Sequence, residues 1–207
     1  MFQRYGNARI KSCVFYVFNV PYIKQEFWKL FNVPLTFQKI YGILQLQKGK
    51  KGIVKMNRLI FDMDGTIAAL YNVKNWLPKL RAEDASPYAE AAPMWDMNAL
   101  RLKLKDLNAW EVVVVSWGSK NATPHFDEEV KKVKIDWLNQ YNFPVTKRNI
   151  HVVPYGTPKQ RYKAKKNYRS ILIDDNEEIR EKFCSYKNCS AVDPTKTDII
   201  QFVASLI

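Results

Sequence analysis

The chain has 207 residues, 47% of them hydrophobic, and a formal net charge of +13. That is enough apolar material for one good core with residues left over. No run approaches the roughly 18 to 20 uninterrupted apolar residues of a membrane-spanning helix, which excludes such a span. Three cysteines, Cys13, Cys184 and Cys189, form neither an even disulfide framework nor a zinc spacing. A reducing, cytoplasmic setting is therefore expected.

Charge is unevenly spread. Residues 1–55 carry ten Lys/Arg against one acid, Glu26, and 11 of the 28 aromatic residues. This extension has no clean amphipathic period, and "KGKKG" at Lys48–Gly52 reads as a flexible basic linker. Three roles fit it. It is a basic aromatic arm for nucleic acid, an acid-poor targeting peptide, or a segment outside the native product. The last follows from "MNRLIFDMDGTIA", which opens at Met56 as many single-domain α/β enzymes open. The expected organisation is an extension at 1–55 and a folded domain at 56–207.

From Arg58 onward strand and helix patterns alternate, as in a parallel sheet covered on both faces. "RLIF" is the first strand. "MNALRLKLKDL" is a helix behind the N-cap Asp96, with Leu100, Leu104 and Leu107 on one face. "EVVVVSW" is a second strand, and "FDEEVKKVKIDWLNQY" a helix with acids in its first turn. "NIHVVPYG" is a third strand. "TPKQRYKAKK" opens like a helix, with Thr157 as N-cap and Pro158 first. "SILIDDN" is a fourth strand, "NEEIREKF" a short helix pairing Ile179 with Phe183, and "TDIIQFVASLI" a last helix docking Ile199, Phe202 and Leu206.

Three of these strands end in groups able to do chemistry: Asp62 and Asp64, then Ser116, then Asp174 and Asp175. Ligands of open parallel sheets bind at the carboxyl ends of the strands, so these distant residues are expected to meet in one cleft. A lone pair of acids two residues apart would be weak evidence. Three compatible strand ends are much stronger.

These residues resemble the haloacid-dehalogenase-like (HAD) phosphatase superfamily over about residues 57 to 185. "FDMDGT" resembles its first motif, "VVVVSWGS" its second and "LIDDN" its fourth. The third, a lysine before the fourth strand, is best matched by Lys159, with Lys163, Lys165 and Lys166 close behind. Within the superfamily the layout is similar to the small nucleotidase-like and phage-type branch. The fold this implies is a three-layer Rossmann-like parallel sheet with a small lid insertion.

The resemblance implies phosphomonoester hydrolysis through an aspartyl-phosphate. Asp62 would be the nucleophile, an ionised carboxylate attacking phosphorus in line. Asp64 would be general acid and then general base; dehalogenases of the superfamily lack an acid there. Mg²⁺ would neutralise the phosphate, held by Asp62, the backbone carbonyl of Asp64, and Asp174 or Asp175. Ser116, Lys159, Thr66, Trp117 and Gly118 would hold the phosphoryl group. The two acids of the first motif can differ in role only if the chain leaves the strand there, which Gly65 makes easy.

Between Thr66 and Ser116 lies an insertion, about residues 70–95, with Trp76, Tyr88 and Trp95 as lid residues for a substrate. They either stack on a base or simply pack the insertion onto the sheet. The expected substrate is a nucleotide or similar small phosphate. Alternatives are a phosphatase of DNA or RNA ends and a non-catalytic nucleic-acid-binding protein.

Overall fold

The computed structural model describes residues 56–207; the readings placed on residues 1–55 lie outside the described residues. The sheet is built from β1 (Asn57–Phe61), β2 (Trp110–Trp117), β3 (Ile150–Val153), β4 (Ser170–Ile173) and β5 (Cys189–Val192). Their spatial order is β3-β2-β1-β4-β5, and every neighbouring pair is parallel. The chain grows outward from β1 to β3, then returns across β1 to lay down β4 and β5. The direction of winding therefore reverses between β1 and β4, which opens a crevice at their carboxyl ends.

Side-chain alternation along each strand assigns residues to the two faces of the sheet. Leu59, Phe61, Val114, Ile171 and Ile173 share one buried cluster with Leu100 and Leu104 of α3 (Met97–Asp106) and Ile199 and Val203 of α6 (Ile199–Ala204). Ile60, Val113, Val115 and Leu172 form the cluster on the other face, under Phe183 of α5 (Glu177–Cys184). Side chains start the helices as their residue types allow. Asp96 accepts from the amides of Asn98 and Ala99, Asn176 from Ile179, and Asp198 from Ile200 and Gln201. The architecture is the expected three-layer, Rossmann-like α/β fold.

The insertion folds as a 3₁₀ turn at Leu70–Asn72, then α1 (Trp76–Arg81) and α2 (Ser86–Glu90). It has a small core of its own. Leu70, Leu80, Ala85 and Tyr88 pack on Phe126 and Val130 of α4 (Pro124–Gln140). The lid is thus fastened to α4.

Two expectations need correction. The helix opening at Thr157 is a single 3₁₀ turn at Lys159–Tyr162, with Pro158 extended before it and Lys163 extended after it. Arg58 explains the stop: its guanidinium donates to the carbonyls of Tyr162 at 2.9 Å and Lys163 at 3.5 Å, acceptors that a continuing helix would need. Thr157 caps nothing; its hydroxyl donates to Pro154 O. The second correction is β5, a four-residue edge strand absent from the sequence reading. Among the described residues no helix is long and apolar enough to cross a membrane.

Candidate active site

Register brings the acids together. Phe61 lies opposite Ile173, so the next residues, Asp62 and Asp174, emerge at the same level of adjacent strands. The Asp62 amide still donates to Ile173 O. The chain then turns sharply, with the amides of Thr66, Ile67 and Ala68 all donating to Met63 O. Gly65 has φ +74°, and a Cβ there would lie 2.5 Å from the Tyr71 ring and 2.6 Å from Asp175 Oδ2. Only glycine fits such a position without strain. The turn sends Asp62 and Asp64 to different partners.

Asp62 pairs with Lys159, whose Nζ lies 2.9 Å from its Oδ1 and 2.6 Å from Asp174 Oδ2. Lys159 is buried. Burial opposes its charge most strongly, but Asp62 and Asp174 together outweigh that and raise its pKa. Of the lysines after Gly156, it is the one that reaches the acids; Lys163 lies over the Tyr186 ring, and Lys165 and Lys166 are exposed.

Asp64 pairs instead with Lys134, a residue the sequence reading missed. Lys134 is fully buried in the middle of α4, and its Nζ donates to Asp64 Oδ2, Ser116 Oγ and Trp117 O at 2.5, 2.8 and 2.7 Å. The signal for it is periodic. Phe126, Val130, Lys134, Trp137 and Leu138 fall on one helical stripe, and four of those five are apolar core residues. A lysine on that stripe is a buried charge that needs a partner.

Asp174 and Asp175 follow β4. Arg180 secures their loop by donating to both main-chain carbonyls and to Asp193. Asp174 also accepts from the Asn176 amide. Burial, then repulsion from Asp62, raises the pKa of Asp174 and of Asp175 to about 6 in each case. Burial likewise raises Asp64, with Lys134 opposing and Asp62 adding. Oxygens of Asp62, Asp174 and Asp175 lie within 4.8 Å of one another. A convergent set of hard carboxylate oxygens, two of them reluctant to ionise alone, fits a small divalent cation. The Asp64 carboxylate stands outside that set.

The other expected residues divide. Trp117, Gly118, Trp76 and Tyr88 line a cleft of about 500 Å³ over the acids. The Gly118 amide, expected as a phosphate donor, is already engaged by Val153 O at 2.7 Å. Ser116 is buried beneath the cleft on Lys134. Thr66 is buried too, exchanging hydrogen bonds with Asp175 and so tying the first loop to the last. Trp95 is half-buried against the main core, its indole donating to Thr66 O, and it does not line the cleft.

Two aromatic pairs wall the cleft. Tyr71 and Trp76 have ring centroids 5.1 Å apart, and Trp117 and Tyr155 4.9 Å. The Trp117 indole is fixed by donating to Thr157 O, while Tyr155 is 52% exposed, with Lys120 over its ring. Arg81 and Lys120 add positive charge to the lining.

No family model matches the chain, and no curated protein matches it. Among solved structures, the chain is similar to D,D-heptose 1,7-bisphosphate phosphatase from Burkholderia thailandensis. The two share 11% identity at a TM-score of 0.43, over 72% of this chain and 97% of that one.

Proposed function

We propose that the protein is a Mg²⁺-dependent phosphomonoesterase of the HAD type, acting on a nucleotide or similar small phosphate. The observation that carries this reading is the separation of the two acids of "DMD". Asp62 faces the acid cluster with Lys159, and Asp64 is drawn away to Lys134. A nucleophile and a general acid must approach phosphorus from opposite sides in an in-line displacement.

In this reading Asp62 attacks phosphorus while Asp64 gives a proton to the departing oxygen, leaving an aspartyl-phosphate on Asp62. Asp64 then takes a proton from the water that attacks this acyl phosphate at phosphorus, breaking its bond to the Asp62 oxygen, returning the Asp62 carboxylate and releasing phosphate. Lys159 offsets negative charge on Asp62 and the transferring group. Mg²⁺, held by Asp62, Asp174, Asp175 and the Asp64 carbonyl, would supply charge neutralisation on the phosphate oxygens.

The aromatic pairs favour a leaving group that carries a planar ring able to stack, as a nucleoside carries its base. The basic residues at the cleft favour a second reading, removal of a terminal phosphate from DNA or RNA. A panel of mononucleotides and phosphate-ended oligonucleotides at two salt concentrations separates them, because only polynucleotide affinity falls steeply with salt.

Hydrolysis of p-nitrophenyl phosphate with and without Mg²⁺ tests the reaction itself. Turnover that needs the metal and disappears in Asp62→Asn is the expected result. No turnover, or turnover untouched by Asp62→Asn, removes the enzyme reading and leaves a binding protein.

A further inference from the structure

Lys134 has no place in the proposed reaction, yet it is a fully buried charged group against this site. It sits in α4 beyond the second motif, in a segment that the resemblance to HAD phosphatases leaves unassigned. Its surroundings define what it can do. An ammonium has three protons, and all three are used, on Asp64 Oδ2, Ser116 Oγ and Trp117 O. The Tyr88 ring closes another side, its centroid 4.4 Å from Nζ. No proton remains for a phosphoryl oxygen, so Lys134 is unsuited to bind phosphate directly. Lys159, on the other side of the acids, touches Asp62 and Asp174 instead.

The consequences fall on Asp64. Among the described residues, its Oδ2 is held by Lys134, while its Oδ1 is buried without a hydrogen-bond partner. A buried carboxylate oxygen without a partner is costly, and such an atom points to a group that is satisfied only when a ligand arrives. Pinning one oxygen also fixes the other, because the carboxyl plane can no longer turn freely. Trp117 O and Ser116 Oγ hold the ammonium from β2, and Val130 and Trp137 hold the helix that carries it. The carboxyl group is therefore positioned by two elements of the core.

We propose that Lys134 is the positioning residue for the general acid: by holding Asp64 through Oδ2, it presents Oδ1 to the leaving oxygen of the bound ester. This rests on the phosphatase reading above. Lys134 touches no reacting atom and in this role acts through Asp64.

Leaving groups of different basicity test it. A nitrophenolate departs with little help from an acid, whereas an alkoxide needs a proton. Lys134→Met, which keeps length and loses the donors, is compared with wild type on p-nitrophenyl phosphate and on glycerol phosphate. The loss in kcat is expected to be at least about tenfold larger on glycerol phosphate, within the roughly 10²- to 10⁴-fold reach of acid catalysis. Asp64→Asn is expected to show the same bias, and the double variant to lose no more than the worse single variant.

The ratio is read within one preparation, so a partly folded sample does not distort it. Should Lys134→Met not fold, Lys134→Leu, which also lacks donors, is read in the same way. Calorimetry of Mg²⁺ binding is expected to give the wild-type affinity within about threefold, since Lys134 touches none of Asp62, Asp174 and Asp175 and meets Asp64 only at its side-chain Oδ2, not at its carbonyl.

Equal losses on the two substrates, a rise in KM alone, no loss, or a Mg²⁺ affinity changed beyond about tenfold would each overturn the positioning role. Absence of turnover by the wild-type chain would overturn it together with the phosphatase reading. Metal-dependent wild-type turnover with an unbiased Lys134→Met loss would overturn this role alone.

Discussion

Lys159 Nζ lies 2.9 Å from Asp62 Oδ1 and, on its other side, 2.6 Å from Asp174 Oδ2. One buried cation thus holds two acids that would otherwise repel each other across adjacent strand ends. Replacing it by methionine leaves both acids buried without their counter-charge, a loss of about 3–5 kcal/mol. Urea denaturation of metal-free Lys159→Met at pH 7.5 is expected to show it. The deficit should shrink at pH 5, where the carboxyls can protonate. Turnover should fall by at least about 100-fold, as on removal of a group that stabilises transition-state charge. Wild-type stability in this variant would mean that the bridge contributes nothing.

Asp174 and Asp175 carry pKa values raised to about 6 against an ordinary 3.8, through burial first and Asp62 second. A raised carboxyl pKa means that the folded state holds protons more tightly than the unfolded chain. The metal-free protein then gains stability from these groups below pH 3.8 and loses it as pH climbs through about 6. His151, whose pKa burial lowers, works in the opposite sense, so wild type is best compared with Asp175→Asn. The melting temperature of wild type relative to that variant should rise between pH 7.5 and pH 5 in EDTA. Stabilisation of wild type by Mg²⁺ should be larger at pH 7.5, because protons compete with the metal. A metal effect independent of pH would exclude these acids as its ligands.

Gly65 and Gly156 both have positive φ, +74° and +81°, but only Gly65 is crowded, with Tyr71 and Asp175 inside 3 Å of a Cβ. Gly156→Ala is expected to cost about 1 kcal/mol for the left-handed conformation alone. Gly65→Ala should cost more, about 2–4 kcal/mol with the clash included. It should also reduce turnover, because the displaced atoms belong to the cleft. Equal melting temperatures for the two variants would show that the loop relaxes without consequence.

The acids were legible because each ends an apolar run: Ile60–Phe61 before Asp62, Leu172–Ile173 before Asp174. Burial of those runs as parallel strands delivers whatever follows them to one edge. Lys159 was legible only as one of four lysines, since spacing does not say which ammonium reaches a strand end 15 residues away. Lys134 was readable in principle, as a charge on an apolar stripe, but its partners come from residues 70 and 17 or 18 positions away in sequence. The 3₁₀ turn at Lys159 depends on Arg58, more than 100 residues earlier. Strand β5 is too short and too exposed at Ser190 to stand out from a loop. Local pattern named the strand ends; long-range pairing chose among their neighbours.

Tyr155 offers the cleanest test of the proposed substrate. It is half-exposed at the wall of the cleft and packs on Trp117, whereas Trp117 also donates to Thr157 O and lies 5.2 Å from the Lys159 ammonium. Removing Trp117 would therefore disturb the acids as well, and its effect would be mixed. Tyr155→Ala removes one face of the wall and leaves that bond in place. If a base stacks there, the variant should raise KM for mononucleotides by about 5- to 150-fold, the equivalent of roughly 1–3 kcal/mol per stacked base. Turnover of glycerol phosphate, which has nothing to stack, should stay within about threefold of wild type. A uniform loss on both substrates would assign Tyr155 to the fold of the cleft. An unchanged KM for every nucleotide would direct the search toward esters without a planar group.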